Sequence, residues 1–421
     1  VIRFLLLIGV IFVEVAGAAS RPDSSLPRDE GQWVAAWVSA QQRTETNNLP
    51  PPPGLQAATL RQIIQPALRG RRLRVVFSNE FGDAPLAIAA AHVAKASSGS
   101  AIDLATDQRL TFDHQSGTTI PAGASIISDE IPFPVEPFEN LSITMLFGSV
   151  PPQVTGHPGS RTTSYLQSGD AVAAHHLPNA LPIDHWYVLS RLEVFAAPSA
   201  SAVVVLGDSI TDGRGSTTNQ NDRWPNLLGR RLRAHPATAH VSVLNQGIGA
   251  NRLLRDGVGP SVLARFDRDV LAPAGVNALI ILEGINDLGT AVTARAHGES
   301  GASARDLIFG YQQIILRAHS HGISVYGATI LPFDGFASYF NAESEAARQE
   351  VNQWIRTSGE FDGVIDFDAT TRDASMPSKL SAKIDGGDHL HPSAGGYRIM
   401  ADSIDLTLFS SGRASAKTTM H

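Results

Sequence analysis

The stretch Val203-Val204-Val205-Leu206-Gly207-Asp208-Ser209-Ile210-Thr211-Asp212-Gly213 decides the fold. Four apolar residues, three of them β-branched, read as a strand buried on both faces, and the Gly-Asp-Ser turn ends it. A helical pattern follows from Trp224 to about Arg233. The same rhythm recurs downstream. Strands at Val241 to Leu244, Ala278 to Leu282, Ile323 to Ile330 and Val364 to Phe367 alternate with helical patterns. The helices are expected at Ser261 to Leu271, Ala304 to His319, Glu343 to Arg356 and Ala394 to Leu408. Five such units predict an α/β domain over residues 203–410, a flavodoxin-like parallel sheet of five strands with helices on both faces. Chemistry in such sheets belongs to the loops at the carboxyl ends of the strands.

Upstream, residues 31–195 carry short apolar runs separated by turn chemistry such as Asn79-Glu80-Phe81-Gly82-Asp83 and Pro151-Pro152. That spacing predicts an antiparallel β-sandwich or jelly roll. Only Ala58 to Leu68 reads as a candidate helix there, and Pro50 to Pro53 reads as a stiff surface connector. The small residues at 196–202 are expected to link the two parts. Residues 1–19 read as a secretion signal, with Arg3, an apolar run from Phe4 to Val13, and Ala16-Gly17-Ala18 for cleavage. The run is about half the ~20 apolar residues a spanning helix needs, so an exported protein without a membrane span is expected. Residues 411–421 read as a flexible tail.

Composition narrows the chemistry. The 421 residues are 43% hydrophobic, and counting the 37 Gly brings the apolar share to about half, as in globular proteins. A formal net charge of -7 argues against a nucleic-acid partner. With no Cys, disulfides, thiolate metal sites and a sulfur nucleophile are excluded, so any nucleophile is an oxygen.

Four expected loops carry reactive groups at one end of the sheet. Ser209 follows the first strand, and Asn245-Gln246-Gly247-Ile248-Gly249-Ala250-Asn251 follows the second. Glu283-Gly284-Ile285-Asn286-Asp287 follows the third, and Asp388-His389-Leu390-His391-Pro392 precedes the last helix. A serine hydroxyl is a weak nucleophile until a base takes its proton, and His389 or His391 can supply one, with Asp388 to orient it. The two histidines alternate in direction along an extended segment, so one of them must point away. Asp208, Asp212 and Asp287 read as hydrogen-bonding loop residues, and Glu283 as loop support. A metal site at His389 and His391 with Asp385 or Asp388 lacks further ligands. No Gly-x-Ser-x-Gly elbow is present.

Together these segments resemble the four blocks of the SGNH (GDSL-type) hydrolases, in the same order. Gly207-Asp208-Ser209-Ile210 has Ile where the family name has Leu, Gly284 to Asp287 fits Gly-x-Asn-Asp, and Asp388 to His391 fits Asp-x-x-His. Trp33 to Ser39, Ser78 to Gly82, Arg265 to Leu271 and Phe361 to Asp373 look like a bacterial secreted subgroup with an N-terminal β-domain. The resemblance implies a carboxylic-ester hydrolase working through an acyl-serine, with Ser209 as nucleophile, His391 as base and Asp388 as its partner. It implies an oxyanion hole from the N–H groups of Ser209 and Ala250 and the amide of Asn286. No cofactor or metal is implied, and the partner is a small-molecule or polysaccharide ester. Short acyl or aryl esters are favoured, with glycan binding on a silent scaffold and lipase action as alternatives. One position departs from the pattern: Ala250 stands where the family has Gly. If the loop requires φ > 0 there, Ala tolerates it poorly, and Gly249 shares or takes the role.

Overall fold

The computed structural model describes residues 30–297 and 301–410, so the expected leader at 1–19 and tail at 411–421 lie outside them. The parallel sheet is present, with strands Val241–Gly247, Ser201–Gly207, Val276–Leu282, Ser324–Ala328 and Gly363–Ile365 side by side in that order. In chain order this is 2-1-3-4-5, the flavodoxin-like arrangement, whose switch point lies beside the first strand. Val203 to Leu206 are fully buried, as a central strand covered on both faces requires. Trp224–Ala234 packs against Ala394–Ser403, while Ala304–Ser320 packs against Ala342–Thr357, giving the helices two separate groups. Among the described residues no helix is long and apolar enough to cross a membrane.

The preceding residues form antiparallel sheets. One is built around Gln32–Val38, Leu189–Ala196 and Gly70–Ser78, and another around Ala58–Ile64, Leu141–Phe147 and Leu86–Lys95. A small third sheet joins Gln42–Arg43, Thr155–His157 and Trp186–Tyr187. The candidate helix at Ala58 to Leu68 is instead a strand, Ala58–Ile64, paired on both sides. Two-sided pairing overrides helix propensity here. It also buries Arg61, whose guanidinium donates to Thr144 Oγ1 at 2.9 Å and to the Ala174 carbonyl at 2.7 Å.

Of the stretch 196–202, Ala196 closes one strand and Ser201 opens the next, leaving Ala197 to Ala200 as the turn. The antiparallel and parallel regions meet along Gln32–Val38, which packs beside Val241–Gly247, and the Ala35 N–H donates to the Ala274 carbonyl at 2.9 Å. A single hydrophobic cluster contains Val34, Leu73 and Val194 together with Val204, Leu244 and Ile280. At about 25 cal/mol per Å² of buried apolar surface, such a shared core resists separation of the two regions.

Register then fixes the loops. Gly207 lies opposite Gly247 on one side and Leu282 on the other, so three strands end at one level. Asp208 caps the short helix Ser209–Asp212 by accepting from the Ile210 N–H at 2.8 Å, and Gly213 ends it at φ +95°. That helix lies directly on Gly247, where a Cβ would come within 2.2 Å of the Asp212 backbone nitrogen. The Gly247→Ala protein should therefore be destabilised by roughly 2–3 kcal/mol, measured by urea unfolding, because main chain must move to make room.

Candidate active site

Ser209 occupies the first position of its helix, and its side chain reaches across to the segment before the last helix. Its Oγ is 2.8 Å from His391 Nε2, and His391 Nδ1 is 2.7 Å from Asp388 Oδ2. The second carboxylate oxygen accepts from the backbone N–H groups of His391 at 2.8 Å and Leu390 at 3.1 Å. An acceptor facing Nδ1 places the ring proton there, which leaves the Nε2 lone pair toward the serine hydroxyl. Ser209 and His391 are both largely buried.

His389 takes the other direction. It has φ +64°, and its Nδ1 lies 2.6 Å from Asp385 Oδ2, away from the serine. Among the described residues no group of three or more His, Asp or Glu side chains is placed to hold a metal ion.

Two further segments close around Ser209. Ala250 has φ +56°, so the loop does need the left-handed conformation and Ala carries it, while Gly249 keeps an ordinary φ. Among the described residues, the N–H groups of Ser209 and Ala250 make no hydrogen bond. Asn286 donates through Nδ2 to the Asn251 carbonyl at 2.8 Å, and its Oδ1 accepts from Tyr339 Oη at 3.0 Å. A carbonyl can only accept, so these two contacts fix which way the amide faces, and the second amide hydrogen remains available. Tyr339 lies 53 residues beyond Asn286, and no motif marks it.

Beneath this floor sits Arg265, fully buried. It donates to Asn251 Oδ1 at 2.8 Å, to the Gln246 carbonyl at 2.6 Å and to Asp269 Oδ2 at 2.7 Å. Asp287 accepts from the N–H groups of Leu253 and Leu254, at 2.8 and 3.1 Å. These contacts of Asp287 tie the second and third loops together. Burial pushes the Asp287 carboxyl up to about 6 despite the two N–H donors. It also pushes Asp208 and Glu283 upward, and both Glu283 oxygens are buried without a hydrogen-bond partner.

The antiparallel region also reaches the site. Asp212, at the end of the serine's helix, lies 2.9 Å through Oδ1 from His157 Nε2. Gly159 permits this approach, since a Cβ there would fall 1.9 Å from Asp212 Oδ2. His157 Nδ1 donates to the Ala40 carbonyl at 2.9 Å. A cleft of about 490 Å³ opens over Ser209 between the two regions. Glu45, Arg161 and His185 line it from one side, and Arg214, Phe336 and Tyr339 from the other. The sequence holds no signal for Arg161 or His157, because their role depends on how the two regions pack.

Burial lowers the pKa of His391, since a cation is disfavoured away from water; the Asp388 carboxylate opposes this, and the charges of Arg214 and Arg161 reinforce it. Burial raises Asp388, but the hydrogen bonds from the His391 backbone and ring and from Leu390 outweigh it and hold the carboxyl below its usual range.

The left-handed backbone at Ala250 carries a steric cost that Gly would not. The Ala250→Gly protein should gain about 1 kcal/mol in chemical denaturation while keeping its catalytic rate, because the main-chain N–H is retained.

Comparison with curated protein sequences finds no match. Among solved structures, a family two carbohydrate esterase from Cellvibrio japonicus is similar at 13% identity and TM-score 0.36, covering 90% of this chain and 97% of its own. The acetyl xylan esterase AlAXEase is similar at 22% identity and TM-score 0.37, covering 48% of this chain and 96% of its own. A GDSL-like lipase from Bacteroides thetaiotaomicron VPI-5482 is similar at 19% identity and TM-score 0.35, covering 48% and 84%. Residues 205–399 match the model of the GDSL-like lipase/acylhydrolase family. The match spans the parallel-sheet region, in which Ser209, Asn286 and His391 lie, and supports an ester-hydrolase domain there.

Proposed function

We propose that the protein cleaves short acyl or aryl esters through an acyl-serine intermediate, with Ser209 as nucleophile, His391 as general base and Asp388 as its orienting partner. The observation that carries this reading is the unbroken chain from Ser209 Oγ to His391 Nε2 at 2.8 Å and from Nδ1 to Asp388 at 2.7 Å. Ser209 Oγ attacks the carbonyl carbon as its proton passes to Nε2. Asp388 balances the imidazolium that forms. The tetrahedral oxyanion is held by the free N–H groups of Ser209 and Ala250 and by the Asn286 amide. Each donor of this kind contributes about 3 kcal/mol to transition-state stabilisation. The carbon–oxygen bond to the alcohol then breaks, and Nε2 returns the proton to the leaving oxygen. Water, deprotonated by the same imidazole, releases the acid and restores Ser209.

Gly249 lends conformational freedom to the loop, while the N–H of Ala250 supplies the second backbone donor. No step calls for a cofactor. An acetylated polysaccharide is one form of the substrate, since Ser209 lies in an open cleft and not in an enclosed cavity. The apolar leader at residues 1–19 supports export.

Substituting Ser209→Ala should lower kcat for p-nitrophenyl acetate by about 10⁴-fold or more, with the circular dichroism spectrum unchanged. Retention of most of the activity would refute the assignment.

The acid limb gives a second check. His391 acts only when neutral, and its pKa is lowered, so activity persists to more acid pH than an ordinary imidazole allows. In a pH profile of kcat/KM the acid midpoint should fall below about 6.5, with the plateau reached by about pH 7. A midpoint above 7 would contradict the cause given for the shift.

A further inference from the structure

Arg161 and Arg214 approach the cleft from different parts of the chain, and among the described residues neither guanidinium makes a hydrogen bond. Arg161 follows the strand Thr155–His157 in the antiparallel region. Its Nε is buried with no hydrogen-bond partner. The nearest carboxylate oxygen, Asp212 Oδ2, is 3.7 Å from Nη2, beyond hydrogen-bond range. Asp212 is engaged through Oδ1 with His157 Nε2 at 2.9 Å. The backbone at Arg161 is held at φ +49°, with its carbonyl accepting from the Asn219 N–H at 2.9 Å. A left-handed Arg is costly and persists only where its surroundings enforce it.

Arg214 comes five residues after Ser209. Its backbone is fixed at both ends, the N–H donating to the Ser209 carbonyl at 2.8 Å and the carbonyl accepting from Tyr397 Oη at 2.6 Å. Its exposed guanidinium has no ion pair or hydrogen bond among the described residues. Both arginines line the same cleft as Ser209 and His391. Of the three carboxylates that line the cleft, Asp212 lies against His157, and the other two are engaged as well. Glu45 accepts from Gln42 and Asn48 at 2.7 and 3.0 Å, and Asp388 holds His391.

Two guanidinium forks that make no hydrogen bond among the described residues, placed beside Ser209 in one cleft, suit the recognition of an anion. Resting on the ester-hydrolase reading above, we propose that Arg161 and Arg214 bind a carboxylate or phosphate carried by the substrate, so that the enzyme prefers esters with an anionic group near the scissile bond. Arg161 makes the antiparallel region part of substrate recognition and gives it more than a supporting role.

The test compares 4-acetoxybenzoate and 4-acetoxyphenyl phosphate with the neutral methyl 4-acetoxybenzoate, all releasing acetate. In the unaltered protein, kcat/KM for the charged esters should fall with added NaCl more steeply than for the neutral one. Arg214→Gln and Arg161→Gln should each lower the ratio of anionic to neutral kcat/KM by about tenfold. Whichever charged ester loses more identifies carboxylate or phosphate as the preferred group. A ratio unchanged in both variants and insensitive to salt would overturn the proposal. Calorimetric binding of 4-acetoxybenzoate to Ser209→Ala separates this outcome from failure of the esterase reading. Its Kd should rise about tenfold when Arg214→Gln is added, whether or not any ester turns over. An unchanged Kd would also overturn the subsite.

Discussion

The alignment of three strand ends is the constraint on which the site depends. Because Gly207 lies opposite both Gly247 and Leu282, the first three loops leave the sheet at the same height. Ser209, Ala250 and Asn286 follow those ends by two, three and four residues, so the register brings them together. A parallel register slipped by one residue would turn the strand side chains to the opposite face and separate the loops. Arg265 secures the result from below by bonding to the Gly207 and Gln246 carbonyls and to Asn251 together.

The antiparallel region supplies a second support that is electrostatic as well as steric. His157 meets Asp212 at the end of the helix that begins with Ser209, and the absence of a side chain at Gly159 lets the carboxylate close in. The serine's helix is a single turn, too short to hold its place unaided. It is held between the Gly247 backbone on one side and the strand containing His157 on the other. Ser209, His391 and the wall of the cleft thus come from regions far apart in sequence but joined by one core.

Polar groups buried around the site are costly and are not all compensated. Glu283 has no hydrogen-bond partner for either carboxylate oxygen, and burial drives Asp208, Asp287 and Glu283 toward their neutral forms. Ala250 adds a left-handed backbone that Gly would occupy more easily. Such local costs gather where geometry serves chemistry, and the large apolar core shared by both regions offsets them.

Much of this was legible in the sequence because it is written in local pattern. The run Val203 to Leu206, the turn chemistry after it and the alternation of strand and helix specify the parallel sheet. The residue types at Ser209, Asn286, Asp388 and His391 stand at strand or helix boundaries, where position along the chain nearly fixes position in space. Ala58–Ile64 was not legible, because pairing on both sides, which depends on distant strands, decides that it is extended. The choice between His389 and His391 also needed the fold, since the strained backbone at His389 turns its ring toward Asp385. Tyr339, His157, Arg161 and Arg265 carry no motif, and their contacts cross long stretches of chain. Sequence by itself determined the elements and the reactive groups through local propensity and spacing. Tertiary structure alone decided which of those groups meet, because meeting requires the two regions to pack on one shared core and three strands to end in register.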